Sequence, residues 1–558
     1  MTDAPAQQDR TTRLFFAALA VLVAMRVAGI FLTPLNLGPD EAQYWRWGQT
    51  FEWGYFSKPP LIAWVIGGTT ALFGDSEAAA RLAAPLLHAI AASILFILGR
   101  NMYGPQAGLL AGLGYALMPG VILSSAVIST DGVLLPIWSA ALFCLWRMRQ
   151  DEAGWITALG LGAAVGAGFL AKYAMLYFGI GIALTILFDQ STRRALLSWK
   201  GLAALGVAIA VFAPHLVWNA ANDFKTVGHT VDNANLGGPL LNPENAGKFL
   251  TDQMGVFGPV SFLVLLGGAF AMQGSDDTSI LGRDRWLLCF IVPVLLIIMG
   301  QAVLSRAHAN WAATAYPAAS ILIAGWMTRA GPAPRLWFGI AAITFIAVQF
   351  IPDMPLLGRL GIGGVFALAI LAFARGFKNR PVGLLWASMA IHAAVAVAFT
   401  FIAIGPVSWS EGAGVANAFK RTRGWEETTA ALAARAEAEN ATAILVDERE
   451  NWHGLDYYGR DGFPVPVIAW RRHEGAKSYS EEDELIPPLD ERVLVASVRK
   501  DFRPRMRADF DTFTSAGMIE IPLGGGKTRR MKLYLASGFD PLARTPEWDA
   551  RFEGLSED

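Results

Sequence analysis

Apolar runs long enough to cross a bilayer follow one another along most of this chain, separated by short polar loops. A hydrocarbon core takes roughly 17–25 apolar residues per helix. On that measure about thirteen spans are predicted, near 13–33, 82–99, 106–126, 131–147, 155–171, 173–188, 201–218, 254–272, 286–304, 311–328, 336–352, 360–375 and 383–404. Two outer loops are long, 34–81 and 219–253. The first holds a further apolar piece, 60–73, too short to span and expected to lie along the membrane surface.

After Gly405 the pattern changes. Residues 412–438 are Ala-rich and charged, the signature of an amphipathic helix. Strand-like runs follow at 442–447, 464–469, 492–498, 517–523 and 530–536, and Gly524-Gly525-Gly526-Lys527 joins the last two as a hairpin turn. That turn ends in Gly-Lys-Thr, yet the first glycine of a phosphate loop would fall on Ile521, so the pattern fails. The expected architecture is an α-helical polytopic membrane domain over 1–404 with a soluble α/β domain over 405–558.

Composition agrees. Of 558 residues 54% are hydrophobic and only 16% charged, against about 25% charged in ordinary soluble domains. Net charge is −1, which gives no reason to expect a nucleic-acid partner. Cys144 and Cys289 lie in apolar runs without metal or redox spacing and are expected as core filler. Arg10 and Arg13 precede an apolar run, 14–32, too long for a cleaved leader, so an uncleaved first span is expected. With the N-terminus cytoplasmic, every predicted inside loop carries Lys or Arg, Arg193, Arg194 and Lys200 among them. An odd number of spans then puts the C-terminal domain outside.

The chemistry concentrates in the first outer loop, Gly38-Pro39-Asp40-Glu41-Ala42-Gln43-Tyr44-Trp45, continued by Tyr55-Phe56-Ser57-Lys58-Pro59-Pro60. Asp40 and Glu41 have a plain reading as helix caps. Charged groups at a membrane surface are costly and mark function, so the favoured reading is a general base that takes a proton from an acceptor hydroxyl. Lys58, Lys172 and Arg306 are outer cations near helix ends. Each alone reads as a lysine or arginine reaching for headgroups; together they suit a phosphate clamp. Asp131 opens the fourth span on the same side, either as its N-cap or as a second carboxylate facing a cavity. Tyr44, Tyr55, His308 and Asn310 lie beside these groups and are candidate substrate contacts. Arg26, within the first span, is assigned no catalytic role. His88, His215 and His392 read as core groups, and no metal motif has suitable spacing.

In this order the motifs resemble those of the GT-C integral-membrane glycosyltransferases that use polyprenyl-phosphate sugars. Those include the protein O-mannosyltransferase-like enzymes and the lipid A aminoarabinose transferases. The resemblance rests on Asp-Glu-x-x-Tyr at 40–44, Tyr-Phe-x-Lys-Pro-Pro-Leu at 55–61, Ala80-Arg81-Leu82, Gly99-Arg100-x-x-Tyr-Gly104, Thr130-Asp131 and Gly168-Phe169-Leu170-Ala171-Lys172, and more loosely on 305–318. Asp-Glu-Ala-Gln-Tyr-Trp with Trp-Gly-Tyr-Phe-Ser-Lys-Pro-Pro is most similar to the bacterial branch that includes lipopolysaccharide galacturonosyltransferases. The resemblance implies that Asp40 is the catalytic base, that Lys58 and Lys172 bind donor phosphate, and that Asp131 lines the site. The aminoarabinose transferases carry a zinc-site Glu where this chain has Ser57, so that metal is not carried over. No cofactor is expected, and a divalent metal stays open.

The function expected is transfer of a sugar, with inversion, from a polyprenyl-phosphate donor to a hydroxyl of an envelope acceptor (lipopolysaccharide, another glycolipid, a glycan or a protein). The expected place is the periplasmic face of a bacterial inner membrane. The rival is a transporter or flippase for lipid-linked saccharides. Transporters commonly show two repeated halves, which this sequence lacks.

Overall fold

The structure is a computed structural model, and it describes residues 4–150, 154–232, 242–271, 278–329, 341, 342, 360, 364, 367, 381–482 and 491–557. The spans expected at 336–352 and 360–375 lie essentially outside the described residues. Among those described, six helices are long and apolar enough to cross a membrane: Asp9–Leu32, Glu77–Tyr103, Thr130–Arg149, Trp199–Ala221, Ser279–Leu304 and Val382–Ile404. Two bent pairs, Tyr173–Phe188 with Gln190–Leu196 and Pro243–Phe257 with Pro259–Gly268, raise the number to eight if each is one span.

Several expected spans are broken, and the breaks have causes. The 254–272 span instead begins inside the expected outer loop, as the helix Pro243–Phe257. It then bends by 115° at Gly258, where φ is +93° and the next residue is Pro259; proline cannot donate to the preceding turn. The 106–126 stretch divides into Pro105–Ala116 and Pro119–Ser124 for the same reason, at Pro119. The 60–73 piece forms a helix, Leu61–Phe73, and Trp155–Ala171 is likewise apolar but short.

The chain divides into two compact units. The first takes Met1–Ile30, Lys58–Ile62 and Arg81–Thr400; the second joins Phe31–Ser57 and Ala63–Ala80 to Phe401–Asp558. Much of the first outer loop therefore folds with the C-terminal region.

In the first unit, helices Trp155–Ala171 and Trp199–Ala221 pack closely through Gly162 and Gly166. A Cβ on Gly166 would stand 2.7 Å from the Cβ of Val211 and 2.8 Å from the carbonyl oxygen of Ala208. Small residues four apart let helix backbones approach in a membrane, where hydrophobicity itself does not drive association. This packing fixes the end of Trp155–Ala171, and with it Lys172.

In the second unit five strands form one sheet: β1 (Ala443–Val446), β2 (Val467–Ala469), β3 (Val493–Ser497), β4 (Phe510–Gly524) and β5 (Lys527–Phe539). Their order is β2-β1-β3-β5-β4, with β1 parallel to β2 and β3, and β5 antiparallel to β3 and β4. β1 and β3 are continuous apolar runs because both faces are covered. On one face Ile444, Val446, Leu494 and Leu533 pack under Leu432 and Trp452. On the other Leu445, Val493, Val495 and Tyr534 meet Met506 and Trp548. The triple-glycine turn is a hairpin as expected: Gly524 pairs with Lys527, and Gly525 and Gly526 have φ of +60° and +70°, which a two-residue primed turn demands.

Gly166→Val should lower the thermal unfolding temperature in detergent, by a loss on the order of 1–3 kcal/mol for overpacking. Gly206→Ala, on the same helix pair with open space around its Cβ, should be neutral or slightly stabilising. Equal stabilities for the two variants would contradict the close helix approach.

Candidate active site

The first unit brings three of the expected residues together. Helix Thr130–Arg149 begins at Ser129, whose backbone is extended (φ −145°, ψ 160°) and whose Oγ accepts the Gly132 N–H at 3.2 Å. Ser129 is thus the cap. Asp131 is relieved of that task, and its carboxylate, though buried, faces two donors instead. Lys172 Nζ donates to Oδ1 at 2.7 Å, and Asn310 Nδ2 donates to Oδ2 at 2.6 Å. The side chains of Lys172 and Asp131 are 20% and 11% exposed, so this is a largely desolvated pair rather than a fully exposed surface one. Lys172 has three N–H donors, and Asp131 takes one.

Each partner is held from behind. Lys172 closes Trp155–Ala171 in extended backbone (φ −166°, ψ 139°), and the next residue, Tyr173, bonds through its hydroxyl to His215 Nε2 at 2.7 Å. His215 is itself bonded to Asn219 Nδ2. Asn310 lies on the 3-10 segment Ala309–Ala315, tied to helix Pro243–Phe257 by Gln253 Nε2 donating to the Ala309 carbonyl at 3.1 Å. Asn245 donates to the Ser305 carbonyl from the same helix. The helix also supplies a cation the sequence reading missed, Lys248, which pairs with Asp252 at 2.5 Å.

Arg306 and His308 are exposed beside Asn310. Partial desolvation lowers the His308 imidazole below its ordinary pKa, and the charges of Arg306, Lys248 and Lys172 lower it further. Three cations from three separate segments thus make the field at His308 positive, although two of them are ion-paired, Lys172 with Asp131 and Lys248 with Asp252. Arg306 makes no ion pair among the described residues. Such a field suits a phosphate or carboxylate, and the neutral imidazole can still offer one donor and one acceptor. Lys58 belongs to this unit as well, half-buried and directly before Pro59, Pro60 and helix Leu61–Phe73.

Asp40, Glu41, Tyr44 and Tyr55 lie in the second unit. Helix Pro39–Gly48 starts with proline at its first position, and Glu41 Oε2 accepts the Gly38 N–H at 2.9 Å. Glu41 is buried and acts as the cap. Asp40, its neighbour, is exposed and reaches the opposite way, accepting from Arg449 Nη2 at 3.1 Å. Arg449 also donates to Gln43 Oε1 at 3.0 Å. It opens the helix Arg449–Tyr458 that follows β1, and nothing in the sequence reading singled it out. Tyr44 and Tyr55 are buried around Trp47, with the Tyr55 ring stacked on the indole at 5.1 Å. The Tyr55 hydroxyl donates to the Thr50 carbonyl at 2.5 Å, and burial pushes its phenol up to about 12. Both tyrosines pack the helix that carries Asp40.

A family model for dolichyl-phosphate-mannose-protein mannosyltransferase matches residues 57–218. The chain is 39% identical over 290 residues to the lipid A galacturonosyltransferase RgtD of Rhizobium johnstonii, covering 52% of this chain and 60% of that protein. It is 28% identical over 219 residues to the lipopolysaccharide core galacturonosyltransferase RgtA of the same organism, covering 38% and 44%. The chain therefore spans about half the length of these relatives. Among solved structures, ArnT from Cupriavidus metallidurans bound to undecaprenyl phosphate matches with a TM-score of 0.60 at 17% identity, over 94% of this chain and 97% of that one. That likeness establishes the fold, and with the sequence matches it bears out the GT-C resemblance read from the motifs.

Asp131→Asn and Lys172→Gln should each destabilise the detergent-solubilised protein by on the order of 1–3 kcal/mol, since each leaves a partly buried charge without its partner. The double variant should recover part of that loss, and thermal unfolding of all four proteins reads the coupling. Strictly additive losses would show that the pair is not energetically linked.

Proposed function

We propose that this chain is an inverting glycosyltransferase that moves a sugar from a polyprenyl-phosphate donor to a hydroxyl of an envelope acceptor. The convergence of Lys172, Arg306 and Lys248 about His308, with Asp131 holding Lys172 in place, is the observation that carries this reading. The similarity to galacturonosyltransferases and to the structure of ArnT bound to undecaprenyl phosphate supports it. We place the site at the periplasmic face of a bacterial inner membrane, with about thirteen spans, a cytoplasmic N-terminus and the 405–558 domain outside. The distribution of Lys and Arg among the loops favours that orientation.

In the proposed step the acceptor oxygen forms a bond to the anomeric carbon as its proton passes to Asp40. The bond from that carbon to the phosphate oxygen breaks on the opposite face, so configuration inverts, by the same two-face logic as inverting glycosidases. The polyprenyl phosphate leaves with its pair of electrons, and Lys58, Lys172 and Arg306 stabilise the charge that develops on it. Arg449 is a positioning residue: its hydrogen bond to Asp40 Oδ1 fixes the carboxylate's rotamer and leaves Oδ2 to take the proton. Glu41 keeps the capping role. His308 and Asn310 border the phosphate and sugar, while Tyr44 and Tyr55 support the helix of Asp40.

Asp40→Asn should lower transfer by about 10²–10⁴-fold, the range for losing a general base, with expression and lipid-donor binding kept. Lys58→Ala should lower it by about 10²–10³-fold. The assay is conversion of a short-chain polyprenyl-phosphate sugar by purified protein without a membrane gradient. Near-normal turnover by Asp40→Asn would remove the base assignment. Absence of any turnover by the wild type, with gradient-dependent movement of the lipid, would favour a transporter.

A further inference from the structure

The second unit carries an open cleft of about 480 Å³ that plays no part in the proposed chemistry. It is lined by Lys420, Arg421, Trp425, Glu450, Asn451 and Arg529, among others. Three cations thus face one carboxylate. Arg421 and Glu450 form an ion pair, which leaves Lys420 and Arg529 in excess.

Arg529 is an unusual cation. Its guanidinium lies over the Trp425 ring at 3.5 Å and donates to the carbonyls of Gly424 and Arg423 and to the Thr428 hydroxyl. It forms no ion pair with a carboxylate among the described residues. Burial draws it down to about 10, so it is still charged at neutral pH but poorly compensated. Lys420 is exposed at the rim and makes no ion pair among the described residues either. Asn451 supplies the second, independent sign. It is 5% exposed, it lines the cleft, and its Nδ2 has no hydrogen-bond partner. A buried amide N–H without a partner costs on the order of 1–3 kcal/mol, and in native structures such groups call for an explanation.

We propose that this cleft binds an anionic saccharide, a sugar bearing phosphate or carboxylate that belongs to the acceptor. Lys420 and Arg529 meet the anionic group, and Asn451 donates to a sugar oxygen. The volume lies within the range of small-ligand sites and far exceeds what a lone phosphate needs. The acceptor part of this inference rests on the transferase reading, whereas the saccharide site itself rests on the cleft alone. It gives the 405–558 region a task, acceptor recognition, apart from bond-making.

The test uses the full-length protein in detergent, titrated calorimetrically with glucosamine 1-phosphate, inorganic phosphate and glucosamine. The sugar phosphate should bind at least about tenfold more tightly than either fragment. Lys420→Glu and Asn451→Leu should each weaken it by about tenfold, the scale of one charge-assisted or otherwise unsatisfied contact, with unfolding temperatures unchanged for the exposed Lys420 variant. Asp40→Asn should bind it like the wild type while failing in transfer. Wild-type affinity in both cleft variants would overturn the site, and equal binding of inorganic phosphate would overturn its saccharide character. A wild-type protein that binds the sugar phosphate yet never transfers would sink the transferase reading and leave the cleft standing.

Discussion

A buried carboxylate is tolerable only if something pays for its lost hydration, and at Asp131 that something is Lys172 and Asn310. The effective cost of burying either charge alone is several kcal/mol. Together, with hydrogen bonds of 2.7 and 2.6 Å on separate oxygens, they become a fixed polar joint between three segments far apart in sequence. The joint explains features that look unrelated. Ser129 must cap the helix, so that Asp131 is available. Gly162 and Gly166 must be small, so that the helix ending at Lys172 can seat against its neighbour. Gln253 must hold the Ala309 carbonyl, so that Asn310 is at hand.

The second unit solves a different problem, which is how to hold a polar loop still. Asn36 and the start of helix Trp425–Ala438 exchange hydrogen bonds, Asn36 N–H to the Thr422 carbonyl at 2.9 Å and Trp425 N–H to Asn36 Oδ1 at 3.0 Å. The Tyr458 hydroxyl accepts the Leu37 N–H at 2.6 Å and lies 3.1 Å from Glu77 Oε1. Trp45 Nε1 donates to Asp75 at 2.6 Å. The loop thus behaves as part of an α/β domain, and its carboxylates inherit the rigidity of a sheet whose two faces are both packed. Rigid elements position reacting groups better than free loops do.

What the sequence disclosed follows from the range of the forces involved. Apolar runs, the triple-glycine hairpin and the five strands are local patterns, and they were legible. The carboxylates and cations of the site were legible as residues out of place at a membrane edge. Their partners were not. Arg449 is one arginine in a Glu-Arg-Glu run more than 400 positions from Asp40, and no period or spacing links the two. Lys248 fell inside what reads as a polar loop, because a helix broken at Gly258-Pro259 has no continuous apolar stretch to announce it. Asp131 as cap or as ligand was undecidable until Ser129, two residues earlier, was seen to do the capping.

Asp40 and Glu41 show the same point at its smallest scale. Successive helical residues point about 100° apart, so two adjacent carboxylates cannot share one environment. One turns back to the open N–H at the start of its helix, where the positive end of the helix favours a negative charge. The other is left facing outward with a guanidinium for company. With no acid at 41 the Gly38 N–H would lose its side-chain acceptor. A cap and a base can then be neighbours without competing, and the side chain that remains exposed is the one available for chemistry.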